Sequence, residues 1–125
     1  MSESVSDQHW SIRMARTGQL LAARAVMART MGARLMGLLG RATLGVQEAL
    51  ILSPCHSIHT LGMRFSIDAV FVDRSWRVVA MRPHLRPGRL VLPVFGAWGV
   101  VECADGTLER AGLAVGDQLQ LIQTT

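Results

Sequence analysis

The chain has 125 residues, of which 50% are hydrophobic and 18% charged, so it is too apolar for a disordered protein and long enough for one domain with its own core. Its net charge is +4, and all its basic side chains are Arg, since the sequence contains no Lys. We interpret this as a coding bias that permits an anionic partner without requiring one. Residues 1–9 are polar and predict a flexible tail, and residues 10–125 are expected to form a single domain.

No export or membrane signal is visible in the sequence. Arg24 interrupts the apolar stretch from Leu20 to Met27, and no run approaches the roughly 20 apolar residues of a transmembrane helix. Cys55 and Cys103 are too few for a disulfide scaffold, and free thiols are favoured, although the sequence leaves pairing open. We therefore expect a cytoplasmic protein without a membrane span.

The first predicted elements are a hairpin and a helix. Trp10–Ala15 and Gln19–Ala23 form the hairpin, with a tight turn at Thr17-Gly18. The segment Ala25–Leu39 is rich in Ala, Met, Leu and Arg and is followed by a glycine, which predicts a helix. Its methionine stripe is typical of core packing rather than of a cofactor site.

The remainder of the chain is predicted to form short strands. Six segments are β-branched or apolar and are separated by turn residues. They are 48–52, 67–72, 77–82, 89–94, 97–103 and 117–122. Together with one helix in the N-terminal half, they predict a mainly β (α+β) domain, a small barrel or sandwich of short, mostly antiparallel strands.

Two carboxylates interrupt apolar strands. Asp68 and Glu102 stand where a core strand normally places an apolar side chain. Strand alternation puts Asp68 on the face opposite to its neighbours in sequence. A buried carboxylate is tolerated when cationic or hydrogen-bonding partners satisfy it, and Arg34, Arg64 and His59 are the candidate partners.

Two interpretations of these polar residues remain open. Arg34, His59, Asp68 and Glu102 either form a buried network that fixes strand register and helix docking, or converge on a pocket that binds a ligand or supplies an acid and a base. In the second case, we expect a ligand site with a common set of polar residues. Its candidates are Arg34, His59, Thr60, Arg64, Asp68 and Glu102.

A cysteine and two histidines lie within one short segment. Cys55, His56 and His59 have helical spacing, but Pro54 and Gly62 oppose a helix there. The set is incomplete for zinc, which takes four ligands in structural sites and usually three in catalytic ones, so we predict no metal and no cofactor. Cys55 and His59 are weak catalytic candidates, as nucleophile and base, because the local signatures of cysteine enzymes are missing from the sequence.

A cluster of arginines follows the central strand. Five lie in a short span that also contains Trp76 and His84: Arg74, Arg77, Arg82, Arg86 and Arg89. Strand periodicity scatters them over two faces, and no nucleic-acid motif accompanies them. We therefore favour a solvated basic edge over nucleic-acid binding.

Motifs of a known family run through nearly the whole chain, from about residue 10 to 123. They are Arg34–Leu39, Glu48–Leu50, Pro54–Thr60, Met63–Asp73, Val101-Glu102, Gly106 and Gly112–Asp117. On these residues the chain resembles the prokaryotic family called domain of unknown function 192 (DUF192). Ser66 stands where the family commonly has Pro, and Asp105 where it has a small uncharged residue. The resemblance implies a compact, mainly β domain with a helix near the N-terminus and no established activity.

These observations favour a small, non-enzymatic module that binds a small molecule or peptide, as a monomer or weak homo-oligomer. One alternative is a hydrolase or thiol-dependent enzyme that uses Cys55 and His59. The other is an accessory interaction protein of a larger assembly, which would need an exposed apolar patch. The candidates for such a patch are Trp76, Leu90, Val94 and Trp98.

Overall fold

A computed structural model of the protein describes residues 9–28 and 43–124. Within these ranges the chain forms nine strands and one short helix. They are β1 (Trp10–Met14), β2 (Leu20–Ala28), β3 (Glu48–Leu52), β4 (Ile58–His59), β5 (Ile67–Val72), β6 (Val78–Leu85), β7 (Leu90–Val91), β8 (Gly99–Ala104), α1 (Thr107–Ala111) and β9 (Leu119–Gln123). The predicted mainly β class is confirmed. No helix in the described ranges has the length and apolar character that crossing a bilayer requires.

Seven of the strands form one curled sheet in the order β6-β5-β8-β3-β2-β1-β9. All neighbouring pairs are antiparallel except β2 and β3, which are parallel. The two edge strands, β6 and β9, approach each other at one end. There, Arg77 forms an isolated antiparallel β-bridge with Gln118, and the Leu119 N–H donates to the Trp76 carbonyl. The sheet therefore curls into a half-barrel. A separate antiparallel ribbon is formed by β4 and β7.

The central strands β3, β5 and β8 are buried on both faces. Ile51 and Val101 pack on one face with Leu108 of α1, whereas Phe71 and Val100 pack on the other. This division follows from the period of two in a strand, which sends successive side chains to opposite sides. Each fully buried side chain of this size contributes roughly 1.5–3 kcal/mol, so the sheet is stabilised from both faces.

The predicted helix is wrong at its start. Strand β2 runs to Ala28, and Ala25 to Ala28 pair in parallel with Ala49 to Leu52 of β3. The helix propensity of these residues is overridden by their burial in the sheet. Helix propensities differ by less than about 1 kcal/mol per residue, so burial decides the outcome. The rest of the predicted helix, residues 29–39, lies outside the described ranges.

The strand predictions otherwise held to within a few residues. β3 and β5 have the bounds that the apolar pattern predicts, and the N-terminal hairpin is present as β1 and β2. The helix α1 and the short strand β4 were not predicted, because each is too short to produce a periodic pattern.

A bidentate ion pair fixes the loop between α1 and β9. Arg16 Nε lies 2.8 Å from Asp117 Oδ1, and Arg16 Nη2 lies 3.0 Å from Asp117 Oδ2. Arg16 also donates to the Gly112 carbonyl, and the Ala114 N–H donates to Asp117 Oδ2. The hydrogen bonds from Arg16 and then from Ala114 lower the pKa of Asp117 from its usual 3.8 to about 2. The β1–β2 turn is thereby tied to the last loop of the chain.

We expect Asp117→Asn to lower the free energy of unfolding at pH 7 by about 1 kcal/mol, since it removes the charge and one acceptor of this pair. A carboxyl with a lowered pKa in the folded state stabilises the protein above its unfolded pKa of 3.8, and this stability is lost as the pH falls towards about 2. The difference between wild type and variant should therefore shrink between about pH 4 and pH 2 in urea unfolding. Glu109→Gln, at an exposed carboxylate of α1, is the control. A difference that does not change with pH would contradict this assignment.

Candidate functional site

The two buried carboxylates of the predicted site lie on opposite faces of the sheet. Asp68 is opposite Cys103 in the register of β5 and β8, whereas Glu102 is opposite Ala69. Residues opposite each other share a face, and successive residues do not. Asp68 and Glu102 are both fully buried, but they do not converge on one pocket.

The Asp68 carboxylate joins three elements through backbone hydrogen bonds. Its Oδ1 accepts the N–H of His84 in β6 at 2.9 Å, and its Oδ2 accepts the N–H of Leu108 in α1 at 3.0 Å. Leu108 is the second residue of the helix, whose N-cap, Gly106, has no side chain to accept this bond. Asp68 therefore caps α1 from a neighbouring strand.

A β-bulge in β6 creates the position that Asp68 holds. Ile67 pairs with Leu85 and Ala69 with Arg82, so that two residues of β6, Pro83 and His84, stand opposite Asp68 alone. His84 has a positive φ of 54°. The bulge breaks the ladder at this point, and the carboxylate takes the place of the backbone acceptor that a regular strand would supply.

Thr60 has a corresponding role beside the ribbon of β4 and β7. Its side chain is fully buried, donates to the Arg86 carbonyl at 2.5 Å and accepts the Arg89 N–H at 2.8 Å. Its backbone N–H donates to the Arg89 carbonyl, and its carbonyl accepts the Gly88 N–H. Four hydrogen bonds thus hold residues 86–89 against Thr60.

A cavity of about 460 Å³ lies beside this ribbon. Residues of β3, β4 and β7, the end of β2 and the loop before β4 line it. They are Ala28, Leu52, Pro54, Cys55, His56, Ser57, Ile58, His59, Leu90 and Val91. The structure therefore brings Cys55, His56 and His59 together at one cavity.

Two polar groups of this lining have defined bonds within the chain. The Cys55 thiol donates to the Ser57 carbonyl at 3.1 Å, and His59 Nδ1 accepts the Leu61 N–H at 3.2 Å. With Nδ1 as acceptor, we assign the proton of the neutral imidazole to Nε2. Both bonds stabilise the course of the loop that forms the cavity wall.

The other predicted site residues that the structure describes are not part of this lining. Arg64 is exposed, and Thr60, Asp68 and Glu102 are buried at other positions. Arg34 lies outside the described ranges. Of the described members of the predicted set, His59 lines the cavity and the other four lie elsewhere in the fold.

The bulge produces one cluster that sequence reasoning did not find. His84 Nδ1 lies 2.5 Å from Asp105 Oδ1, and atoms of Asp68, His84 and Asp105 lie within 4.8 Å of one another. The side chains of His84 and Asp105 are 58% and 45% exposed. The signal in the sequence was Asp105 itself, a charge at a position where a small residue is usual. The observed bonds connect β6 to the turn before α1.

The two cysteines are free and differ in environment. Cys103 is buried beside Asp68, and burial, followed by the negative charges of Asp68 and Glu102, raises the pKa of its thiol from the usual 9.0 to about 12. Cys55 is partly exposed at the cavity. Only Cys55 is placed to meet a reagent from solvent.

We expect Cys103 to resist alkylation in the folded protein. At pH 8, the raised pKa lowers its thiolate fraction about 1,000-fold relative to an ordinary cysteine, and burial further excludes the reagent. Timed labelling with iodoacetamide, read by peptide mass spectrometry with and without urea, measures both cysteines separately. Equal labelling of Cys103 in native and unfolded protein would refute this expectation.

We expect Asp68→Asn to destabilise the protein by about 2 kcal/mol, because an amide NH₂ cannot accept one of the two buried N–H groups. The matched control is Asp105→Asn, the same change at an exposed carboxylate of the same cluster, for which less than about 0.5 kcal/mol is expected. Urea unfolding at pH 7 measures both. Equal losses in the two variants would show that Asp68 has no special role as a cap.

The sequence of this chain matches a family model along most of its length. The model of the DUF192 family, described as "Uncharacterized ACR", matches residues 12–121. A UPF0127 protein of Thermococcus sibiricus is 35% identical over 63 residues. That match covers 50% of this chain and 40% of the length of the relative.

Two solved structures share the fold. A Sinorhizobium meliloti protein described as a candidate transcription regulator has a TM-score of 0.76 at 15% identity, over 97% of this chain and 98% of that one. A Novosphingobium aromaticivorans protein of unknown function has a TM-score of 0.69 at 24% identity, over 90% of this chain and 83% of that one. At these identities the similarity shows the fold alone.

Proposed function

The chain belongs to the DUF192 family, and we propose that it is a non-enzymatic module that binds a small, mainly apolar molecule in the cavity beside β4 and β7. The observation that carries the proposal is the cavity itself. Its volume of about 460 Å³ lies within the range of roughly 300–1,000 Å³ that is typical of small-molecule sites.

The chemistry of the wall indicates the class of ligand. Ala28, Leu52, Ile58, Leu90 and Val91 supply apolar surface. A set of three polar side chains stands among them: Cys55, His56 and His59. Apolar walls supply affinity, while a few fixed polar groups orient the ligand, so a compact molecule with one polar end is the best match.

The sequence-predicted residues have different roles in this proposal. His59 contacts the ligand, since it lines the cavity. Thr60 positions the wall, because its four bonds hold residues 86–89 directly before Leu90. Asp68 supports the same region from β5 through its bond to His84. Neither Arg64 nor Glu102 lines the cavity, and the proposal assigns them no ligand contact.

The hydrogen bonds of Cys55 and His59 support binding rather than thiol catalysis. A nucleophilic cysteine acts as a thiolate with a base beside it. Here the Cys55 thiol donates a hydrogen bond to the Ser57 carbonyl, and His59 Nδ1 accepts one from the Leu61 N–H. We also propose a cytoplasmic location, which the two free cysteines support.

A titration with the fluorescent probe 1-anilinonaphthalene-8-sulfonate tests the cavity, since this molecule is compact, largely apolar and has one polar end. We expect saturable binding to the wild type and at least about tenfold weaker binding to Ser57→Phe, because the larger side chain fills the space. The control is Phe95→Ser, at a fully exposed side chain that does not line the cavity, for which binding should stay within about twofold.

The urea midpoint of Ser57→Phe establishes that the variant is folded. If the wild type shows no saturable binding, or if a folded Ser57→Phe variant binds as well as the wild type, the proposed site is wrong. A second cavity-filling variant, Val91→Phe, repeats the test from strand β7.

A further inference from the structure

The exposed apolar side chains in the described part of the chain are concentrated in one region. Seven large hydrophobic residues are exposed in the described ranges, and four of them lie in β7 or in the loops that follow Thr60 and β7. They are Leu61, Leu90, Leu92 and Phe95, which are 48%, 73%, 80% and 102% exposed. Single exposed apolar residues are normal, but a cluster of this kind marks an interaction surface.

The same region is basic. Between Arg74 and Val101 the sequence has five arginines and no carboxylate, and residues 54–67 add Arg64, again without a carboxylate. Arg86 and Arg89 are exposed and immediately precede the apolar side chains of the loop. We call Leu61, Leu90, Leu92, Phe95, Arg86 and Arg89 the apolar–basic platform. Its charge is complementary to an anionic surface.

The platform is held in place by its backbone. Thr60 bonds to residues 86–89 on one side, and β7 pairs with β4. Beyond β7, the Val94 N–H donates to the His56 carbonyl at 2.9 Å, and the Ala97 N–H donates to the Val94 carbonyl at 3.1 Å. Backbone groups that are already paired can approach lipid at less cost than free ones.

From these observations we propose that the platform docks the protein on an anionic lipid bilayer. Leu90, Leu92 and Phe95 enter the boundary between headgroups and acyl chains, while Arg86 and Arg89 remain at the lipid phosphates. Peripheral membrane segments combine basic and apolar side chains in this way. This inference does not require a ligand in the cavity, although Leu90 belongs to both surfaces.

The composition of the platform favours a bilayer over other anionic partners. Single-stranded nucleic acid is bound by several aromatic side chains on which bases stack, whereas the platform has one aromatic side chain, Phe95. Protein interfaces rely on Trp, Tyr and Arg anchors, and leucine is under-represented among their energetic centres. Aliphatic side chains beside arginine are typical of a lipid surface.

Sedimentation with lipid vesicles tests the proposal. We expect the full chain to bind vesicles of phosphatidylcholine with 30% phosphatidylglycerol at least about tenfold more tightly than vesicles of phosphatidylcholine alone. The double variant Leu92→Ser/Phe95→Ser should lose at least about tenfold in binding, and so should Arg86→Gln/Arg89→Gln. Because these side chains are exposed, unchanged urea midpoints are expected and establish that the variants are folded.

Matched controls lie outside the platform. Val115→Ser removes a side chain that is 60% exposed, and Arg13→Gln removes an exposed arginine of β1, so both should bind vesicles as the wild type does. The proposal is overturned if the wild type does not bind anionic vesicles, or if Leu92→Ser/Phe95→Ser binds them undiminished. Two further results would overturn it. One is tighter binding of the wild type to random-sequence DNA than to vesicles. The other is a wild-type protein that does not bind vesicles but forms a dimer that Phe95→Ser abolishes.

Two variants separate this proposal from the ligand site. Ser57→Phe fills the cavity and should retain vesicle binding, whereas Phe95→Ser weakens vesicle binding and should retain probe binding in the cavity. The cavity proposal and the platform proposal can therefore fail separately, and each failure can be recognised.

Discussion

The arrangement of β6 and α1 depends on the two backbone hydrogen bonds that the buried Asp68 carboxylate accepts. The carboxylate accepts one backbone N–H from the β-bulge at His84 and one from the first turn of α1 at Leu108. Each N–H would cost roughly 1–3 kcal/mol if it were buried without an acceptor. A single side chain meets both requirements, and a hydrophobic residue of the same size could meet neither. The charge inside an apolar strand is thus explained by the backbone that surrounds it.

Thr60 supplies the corresponding hydrogen bonds to the backbone of the turn that follows β6. After Leu85 the chain leaves the sheet, and its next turn, residues 86–89, is held by the Thr60 hydroxyl and backbone. The neighbouring His59, by contrast, lines the cavity. The polar motif that we recognised in the sequence therefore combines architectural residues with a residue at the cavity, and adjacent positions have different tasks.

The sequence predicted regular features well and irregular ones poorly. The period of two placed Asp68 on the face opposite to Phe71, and the apolar runs located β3 and β5 to the residue. It did not predict that β2 continues to Ala28, because the pairing with β3 is a long-range contact that residue propensities do not contain. The contact between His84 and Asp105 depends on a bulge, and alternation carries no signal for one extra residue. The helical cap was missed because its acceptor is 40 residues away.

Strand β7 connects the cavity with the exposed surface. Leu90 lines the cavity and is also 73% exposed, so one residue belongs to the cavity wall and to the apolar–basic platform. Because Leu90 both lines the cavity and is exposed to solvent, the cavity is open to solvent at this end of the platform. The proposed lipid surface and the proposed ligand site therefore both require an apolar side chain at Leu90, although other residues distinguish them.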